Sequence, residues 1–475
     1  MLMKSAPAVD GEIAAGGAGG LPPAYDEALD ASGEVRPHYR DLLEAVRSAG
    51  PAALCSRLEA SSAAAHLSFS ANRFRLDPLP RLLEAGEWEL LGRAATQRAA
   101  ALNLFLADIY GERQIVEAGV VPERVITGAE HYEPAMCDVA VAPGGWATVI
   151  GFDLVRDPSG AFRILEDNAR SPSGIGFASA ARRALVELDL PGEPQGDPEE
   201  AVPALGEALR AAAPQQSAGL PSAALLSEGP ESPAFFEHEL IAGRLGIPIL
   251  TPGELREVDG RLQARVDGVP REIDILYRRT DGERLTGPDG RPTELGGLLL
   301  GPLRAGTLAC VNAFGSGVVD DKLTHAYVGE AIRFYLGEDP LIDSVPTFDL
   351  GDPPQRAEVL QRLPELAVKP RSGLGGGGVL IGPLAGGEQL AASRREIEGR
   401  PERFIAQETI SLSTHPSAIG DQLLPRHIDL RPYAISVGDQ VRIPRSALTR
   451  FAPAANEMIV NSSRGGGAKD TWVLA

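Results

Sequence analysis

Two apolar runs, WATVIGFDLVRD (residues 146–157) and AFRILEDN (161–168), meet at the turn DPSG. Strand-like runs joined by so short a connection read as an antiparallel hairpin. The second run ends unusually, with Glu166, Asp167 and Asn168 following Ile164 and Leu165 without a break. Strand side chains alternate, so Glu166 and Asn168 share one face and Asp167 takes the other. The hairpin also brings Asp153, 13 residues before Glu166, to the same place, so Asp153, Glu166 and Asn168 can converge on one point. A strand running out into a polar turn would end in the same way. The choice between the two readings depends on whether phosphate-binding parts occur elsewhere in the chain.

Such parts occur in the last third. In LAVKPRSGLGGGGVLIGP (366–383) a lysine, Lys369, closes an apolar strand, a glycine-rich loop runs from Ser372 to Gly378, and a second strand follows at once. Backbone N–H groups freed from Cβ crowding can wrap phosphate oxygens beside a lysine charge. The loop is not a P-loop, because no Lys-Ser/Thr pair and no helix follow the closing glycine. A solvent-exposed turn is the plain alternative for the loop taken alone. Further on, RFIAQETI offers a strand whose backbone can line a planar ring near Gln407 and Glu408, and PRHIDLRPY sets His427, Asp429 and Arg431 on alternate positions. Arg431 suits phosphate through its planar fork. Lys322, in GSGVVDDKLTHAYVGE, opens a helix, and the terminal VNSSRGGGAKDTWVL adds Asn461 and Lys469, again a combination suited to anions.

The remaining sequence sets the frame. A length of 475 residues suggests roughly three domains. A formal net charge of −20 argues against a nucleic-acid or anionic-membrane partner. Cys55, Cys137 and Cys310 form neither a disulfide framework nor a zinc motif, which fits a reducing cytoplasm. No apolar run approaches a membrane span and no leader pattern opens the chain, so a soluble, unexported protein is expected. Residues 1–35 begin with a Gly/Ala/Pro-rich stretch and are assigned to a disordered tail. From Trp88 to Ile109 apolar residues recur at helical spacing, with Gly111 as a stop. Residues 187–218 read as a linker with one short helix possible in the middle. Beyond it, SAALLSEG, PAFFEHELIAGRLG, IPILTPGEL and IDILYRR alternate strand, helix and strand, which implies a small α/β layer with a parallel sheet. Its first turn lacks the G-x-G-x-x-G of a dinucleotide site.

Taken in order, RILEDNARSPSG, SPAFFEHELIA, IDILYRR, NAFGSGVVDDK, AVKPRSGLGGGG, IAQETISLSTHP, PRHIDLRPY and VNSSRGGGAKDTWVL closely resemble the bacterial circularly permuted ATP-grasp proteins (type 2), relatives of glutathionylspermidine synthetase. The resemblance spans roughly residues 85 to 475. It implies an α/β (α+β) circularly permuted ATP-grasp fold, with a small α/β pre-ATP-grasp-like domain and an N-terminal helical segment. The implied boundaries are a helical region with the permuted metal-binding strands at 36–186, the small α/β domain at 219–310 and the nucleotide-binding domain at 311–475. In the ordinary family order the E-x-N strand comes last; here it precedes the lysine, so a composite site is expected in which residues near 150–170 pack against residues near 320–470.

The resemblance further implies ATP and Mg2+ as cofactors. Asp153, Glu166 and Asn168 would hold the metal, Lys322 and Lys369 the phosphates, and Gly373, Gly375, Gly376 and Gly378 would belong to a mobile loop. Gln407, Glu408 and Thr409 would form the adenine hinge, and Arg431 would face the transferred phosphoryl group. Arg278, with Arg279 at a strand end, is a candidate for gripping a substrate carboxylate. The implied activity is an ATP-dependent carboxylate–amine ligase working through an acyl phosphate on small-molecule or peptide substrates. The alternatives are a nucleotide-binding protein without ligase turnover that serves a partner protein, and phosphorylation of a substrate without amide formation. Two departures from the family pattern stand out. The loop carries Ser372, Leu374 and Gly377 where an acidic residue, a serine and an aromatic are usual, and TDGERLTG replaces the acidic cluster after Y-R-R.

Overall fold

The computed structural model describes residues 22–61, 68–69, 72–73, 75–142, 144–217, 220–373, 377–455, 457–458, 460 and 465–475. The expected hairpin is present: Val149–Arg156 and Phe162–Asn168 pair antiparallel, with Asp153 opposite Glu166 and Gly151 opposite Asn168. A register shift between Asp153 and Leu154 places Leu154 opposite Ile164, so Leu165 bulges from the ladder. The other edge of Val149–Arg156 is covered from far down the chain. Leu430 pairs with Leu154, and Tyr433, Ala434 and Ile435 pair with Gly151, Ile150 and Val149.

These strands belong to a nine-stranded sheet that also contains Arg81–Leu83, Thr414–Ile419, Leu448–Phe451 and Gly467–Val473. The long helix Ala85–Ile109 buries Trp88, Leu91, Leu102, Phe105 and Ile109 in the main core. Removing a Leu or Phe of this size from water contributes about 1.5–3 kcal/mol each, which explains why the helical spacing was so legible. Two smaller sheets complete the site. One is the antiparallel set Thr347–Asp349, Phe404–Glu408, Leu366–Pro370 and Leu380–Ile381. The other is parallel, ordered Ala309–Val311, Ile275–Arg278, Ala223–Leu226, Ile249–Leu250. Its helix Phe235–Leu245 stops at Gly246, which takes the left-handed conformation (φ 65°) that a helix end favours in glycine. The fold is thus α+β, and no helix among the described residues is long and apolar enough to cross a membrane.

Two expectations need correction. Residues 22–35 are no loose tail, because Glu27 is buried and accepts hydrogen bonds from Arg81 (2.6 Å) and Arg156 (3.1 Å), while Asp26 bridges to Thr414. Local composition could not reveal partners so distant in the chain. The 187–218 stretch contains the helix Ala201–Ala211, whose Val202, Leu205 and Leu209 join a core with Ile241, Tyr277 and Ile435. The short helix expected there is present, but it packs into a core where a linker was expected.

Candidate active site

The hairpin and the two smaller sheets enclose a cleft of about 570 Å³. Its wall includes Asp153, Glu166 and Asn168 from the hairpin, Lys322 from the short helix Lys322–His325, Lys369, Gly373 and Gly377 from the glycine-rich hairpin, Gln407 to Thr409 from the Phe404–Glu408 strand and beyond, and Asp429 and Arg431. Residues more than 250 positions apart thus share one cavity.

Strand alternation acts as expected. Glu166 faces the cleft, with Lys369 Nζ at 3.5 Å and Lys322 Nζ at 3.8 Å from its Oε1. Burial would raise the Glu166 pKa, but Lys322 and Lys369, with help from Arg431, outweigh it and hold the carboxyl at about 2. Burial pushes Asp153 up to about 6 against the pull of Arg431, which stands 3.0 Å away; Asp429 and Glu166 add to the rise. Arg431 is held in place by Asp429, with contacts at 2.8 and 3.1 Å. Asn168 Nδ2 donates to Asp153 at 3.3 Å, and opposite it Gly151 lets Pro172 pack closely, since a Cβ there would meet Pro172 at 3.1 Å. Lys369 is buried, and burial lowers its pKa, with Lys322 pushing the same way and Glu166 opposing.

Lys322 Nζ donates to the Gly373 carbonyl at 3.2 Å, and Gly373 (φ 115°) and Gly378 (φ 72°) take backbone conformations that favour glycine. Gly375 and Gly376 lie outside the described residues, as does Asn461. Along the expected hinge, Gln407 donates to Thr347 at 2.9 Å, while its Oε1 and the Thr409 hydroxyl are buried without a hydrogen-bond partner. The Glu408 carboxylate turns away to a bidentate pair with Arg362 (2.7 and 2.9 Å), which leaves its backbone to the cleft.

Not every candidate belongs to this cleft. Arg278 is 2 % exposed and donates to the carbonyls of Asn312, Arg170 and Ala313, each at 3.3 Å, while lying over the Phe314 ring. It holds two chain segments together and is spent before any substrate arrives. Its neighbour Arg279 does line the cleft, bonded to Ser173 at 2.8 Å and Glu237 at 3.0 Å. His427 bonds the Leu412 carbonyl at 2.7 Å and is absent from the cleft wall. Lys469 is fully buried against Asp77 at 2.7 Å, a structural pair and no anion site. Sequence reasoning missed Arg98, Asp321, His325 and Arg371, whose bonds organise the site from behind. Asp321 and His325 flank Lys322, but a local pattern shows only a helix cap and a helix residue.

The donor set suits magnesium. Two carboxylates and an amide oxygen are hard ligands, few enough to leave positions for phosphate and water.

Comparison with known proteins finds relatives along most of the chain. The protein-family model described as circularly permuted ATP-grasp type 2 matches residues 80–452. A Frankia alni protein carrying the name "Putative glutamate--cysteine ligase 2-3" is 44% identical over 472 residues, covering 95% of this chain and 54% of that protein. This chain therefore spans about half the length of that relative. An uncharacterised Synechocystis protein is 36% identical across 95% of this chain and 97% of its own length. Among solved structures, a glutathione synthetase-like effector from Globodera pallida in its apo form superposes with a TM-score of 0.58 at 11% identity, covering 89% of this chain and 98% of that one, a likeness of fold alone.

Proposed function

Because the chain belongs to the circularly permuted ATP-grasp type 2 family, we propose that it is an ATP-dependent ligase that joins a carboxylate to an amine through an acyl phosphate. The observation that carries this reading is the convergence of Lys322 and Lys369 on Glu166, and of Arg431 on Asp153, within one cleft. In this reading Asp153, Glu166 and Asn168 hold Mg2+, which when bound neutralises charge on the phosphate oxygens. Lys322 and Lys369 hold the phosphates as point charges beside the glycine-rich loop. The unpartnered Gln407 Oε1 and Thr409 hydroxyl support a polar ring seated at the hinge, since a buried polar atom left unpaired costs about 1–3 kcal/mol.

The substrate carboxylate attacks the γ-phosphorus, the bond between the γ-phosphorus and its bridging oxygen to the β-phosphate breaks, and ADP leaves. Arg431 donates to the transferred phosphoryl oxygens, where charge is spread in the transition state. The amine then attacks the acyl carbon, phosphate departs, and the amine proton is lost to water. No side-chain nucleophile takes part. The test is ADP release from the full chain with panels of acids and amines, alone and paired. Release and a product lighter by water only when both are supplied supports a ligase. Release with acid alone indicates phosphorylation, and nucleotide binding with no release under any pairing overturns the proposal.

A further inference from the structure

Lys322 carries its charge on a flexible stem, yet the backbone beneath it is fixed from several sides. Asp321, 5 % exposed, caps the short helix by accepting from Leu323 N–H at 2.9 Å, and its carboxylate also accepts from Arg371 Nε at 3.0 and 3.2 Å. Arg371 in turn accepts from the Lys322 N–H through its own carbonyl at 3.1 Å, and its guanidinium donates to the Val125 carbonyl at 2.7 Å. Arg371 lies two residues after Lys369 and opens the glycine-rich loop, so Asp321 ties the Lys322 helix directly to the loop strand. On the other side Asp320 accepts from the N–H groups of Ala169 (2.6 Å) and Arg170 (3.1 Å), at the end of the strand that carries Glu166, and His325 bonds Asp167 at 2.8 Å.

We propose that Asp321, through its pair with Arg371, is a positioning residue that sets Lys322 against the glycine-rich loop. The proposal rests on the reading of this cleft as an ATP site. A lysine loses rotamer freedom when it grips phosphate, and a backbone already fixed in place reduces what remains to be ordered. The pair lies behind the cleft, where neither member can meet nucleotide. Asp321 therefore acts only through what it holds. A buried pair that merely stabilised the fold would make the same bonds, so the test must separate coupling from stability.

The experiment is a double-mutant cycle on the full chain, with magnesium–ADP as the probe, affinity read by calorimetry and folding followed by thermal unfolding without nucleotide. Lys322→Met and Asp321→Asn are each expected to weaken binding about ten- to hundredfold, the range for a lost charge-assisted hydrogen bond. The double variant is expected within about threefold of Lys322→Met, because residues that act through one another do not add. Arg371→Lys, which keeps the charge and loses the fork, replaces Asp321→Asn in the cycle if that variant unfolds, and is expected to show the same coupling. Multiplied losses, or wild-type affinity in a folded Asp321→Asn or Arg371→Lys variant, would overturn the positioning role and leave the ATP site standing. Absence of binding by the wild-type chain would overturn both.

Discussion

Glu166 and Asp167 are neighbours in the chain and face opposite sides of one strand: Glu166 meets Lys369 at 3.5 Å in the cleft, while Asp167 meets Arg98 at 2.5 and 2.7 Å in the core. Asp167 also bonds His325, and with Arg98 these groups link the long helix, the E-x-N strand and the Lys322 helix. One peptide unit thus separates a candidate metal ligand from a structural anchor.

The two carboxylates should fail differently. Glu166→Gln is expected to lower ATP turnover by about a hundredfold or more, the range for losing a preorganised charge-stabilising group, with a modest loss of stability because Lys322 and Lys369 are left facing each other. Asp167→Asn is mild for the metal corner but not for the fold: it leaves a buried guanidinium uncompensated, at a cost of about 3–5 kcal/mol. Denaturant unfolding beside ADP production separates the two. Equal stability losses, or equal turnover losses at temperatures where both variants are folded, would contradict this division.

Arg278→Met should cost about 2–4 kcal/mol of stability, since several buried carbonyls lose their donor at once, while magnesium–ADP affinity stays near wild type. Chemical denaturation and calorimetry on the same sample check this. A folded variant of full stability with a selectively raised requirement for acid substrate would restore Arg278 to the substrate side.

Gly373 takes φ 115°, and a Cβ added there meets nothing within 4 Å, so backbone strain alone opposes a side chain. Gly373→Ala should cost about 1–2 kcal/mol at this position. Because the Gly373 carbonyl receives Lys322, the effect should appear as roughly five- to thirtyfold weaker magnesium–ADP binding. Unaltered affinity would show that the loop reshapes freely on binding.

His238 is buried, with Nδ1 2.9 Å from the Ser227 hydroxyl, and burial, followed by Arg279, holds its pKa down at about 3. The unfolded chain binds this proton near pH 6.5 and the folded chain does not, so stability is lost as pH falls below about 6.5. Between pH 6.5 and 4.5 the group removes about 2–3 kcal/mol. His238→Gln should flatten that part of the stability curve by this amount. An identical slope in both proteins would show that His238 is protonated in the folded state.

The legible parts of the site were those written in one strand or one loop. The alternation around Glu166, the strand before Lys369 and the glycine-rich loop after it are local patterns, and Glu166, Lys369, Gly373 and Gly377 are in the cleft wall. What stayed hidden depends on partners far along the chain. Arg278 and Arg279 look alike at a strand end, yet one is consumed by carbonyls at Arg170, Asn312 and Ala313 and the other reaches the cleft. Lys469 sits among glycines like a phosphate lysine until Asp77, buried beside it, is seen. Asp167 looked like the spare member of E-D-N because Arg98, its reason for being charged, lies in the middle of an apolar helix.

The covering of Val149–Arg156 by residues 430–435 bears on how the protein is made. The hairpin leaves the ribosome roughly 270 residues before the chain that closes its open edge. At about 5–20 residues per second, that is roughly 15–55 s of synthesis with an apolar strand edge unpaired. For that interval Ile150, Phe152 and Leu154, all buried in the finished fold, sit on a strand whose open edge invites aggregation. The permuted order of this chain therefore sets a demand on translation speed and chaperone cover, because the candidate metal corner is made long before the strands that shelter it.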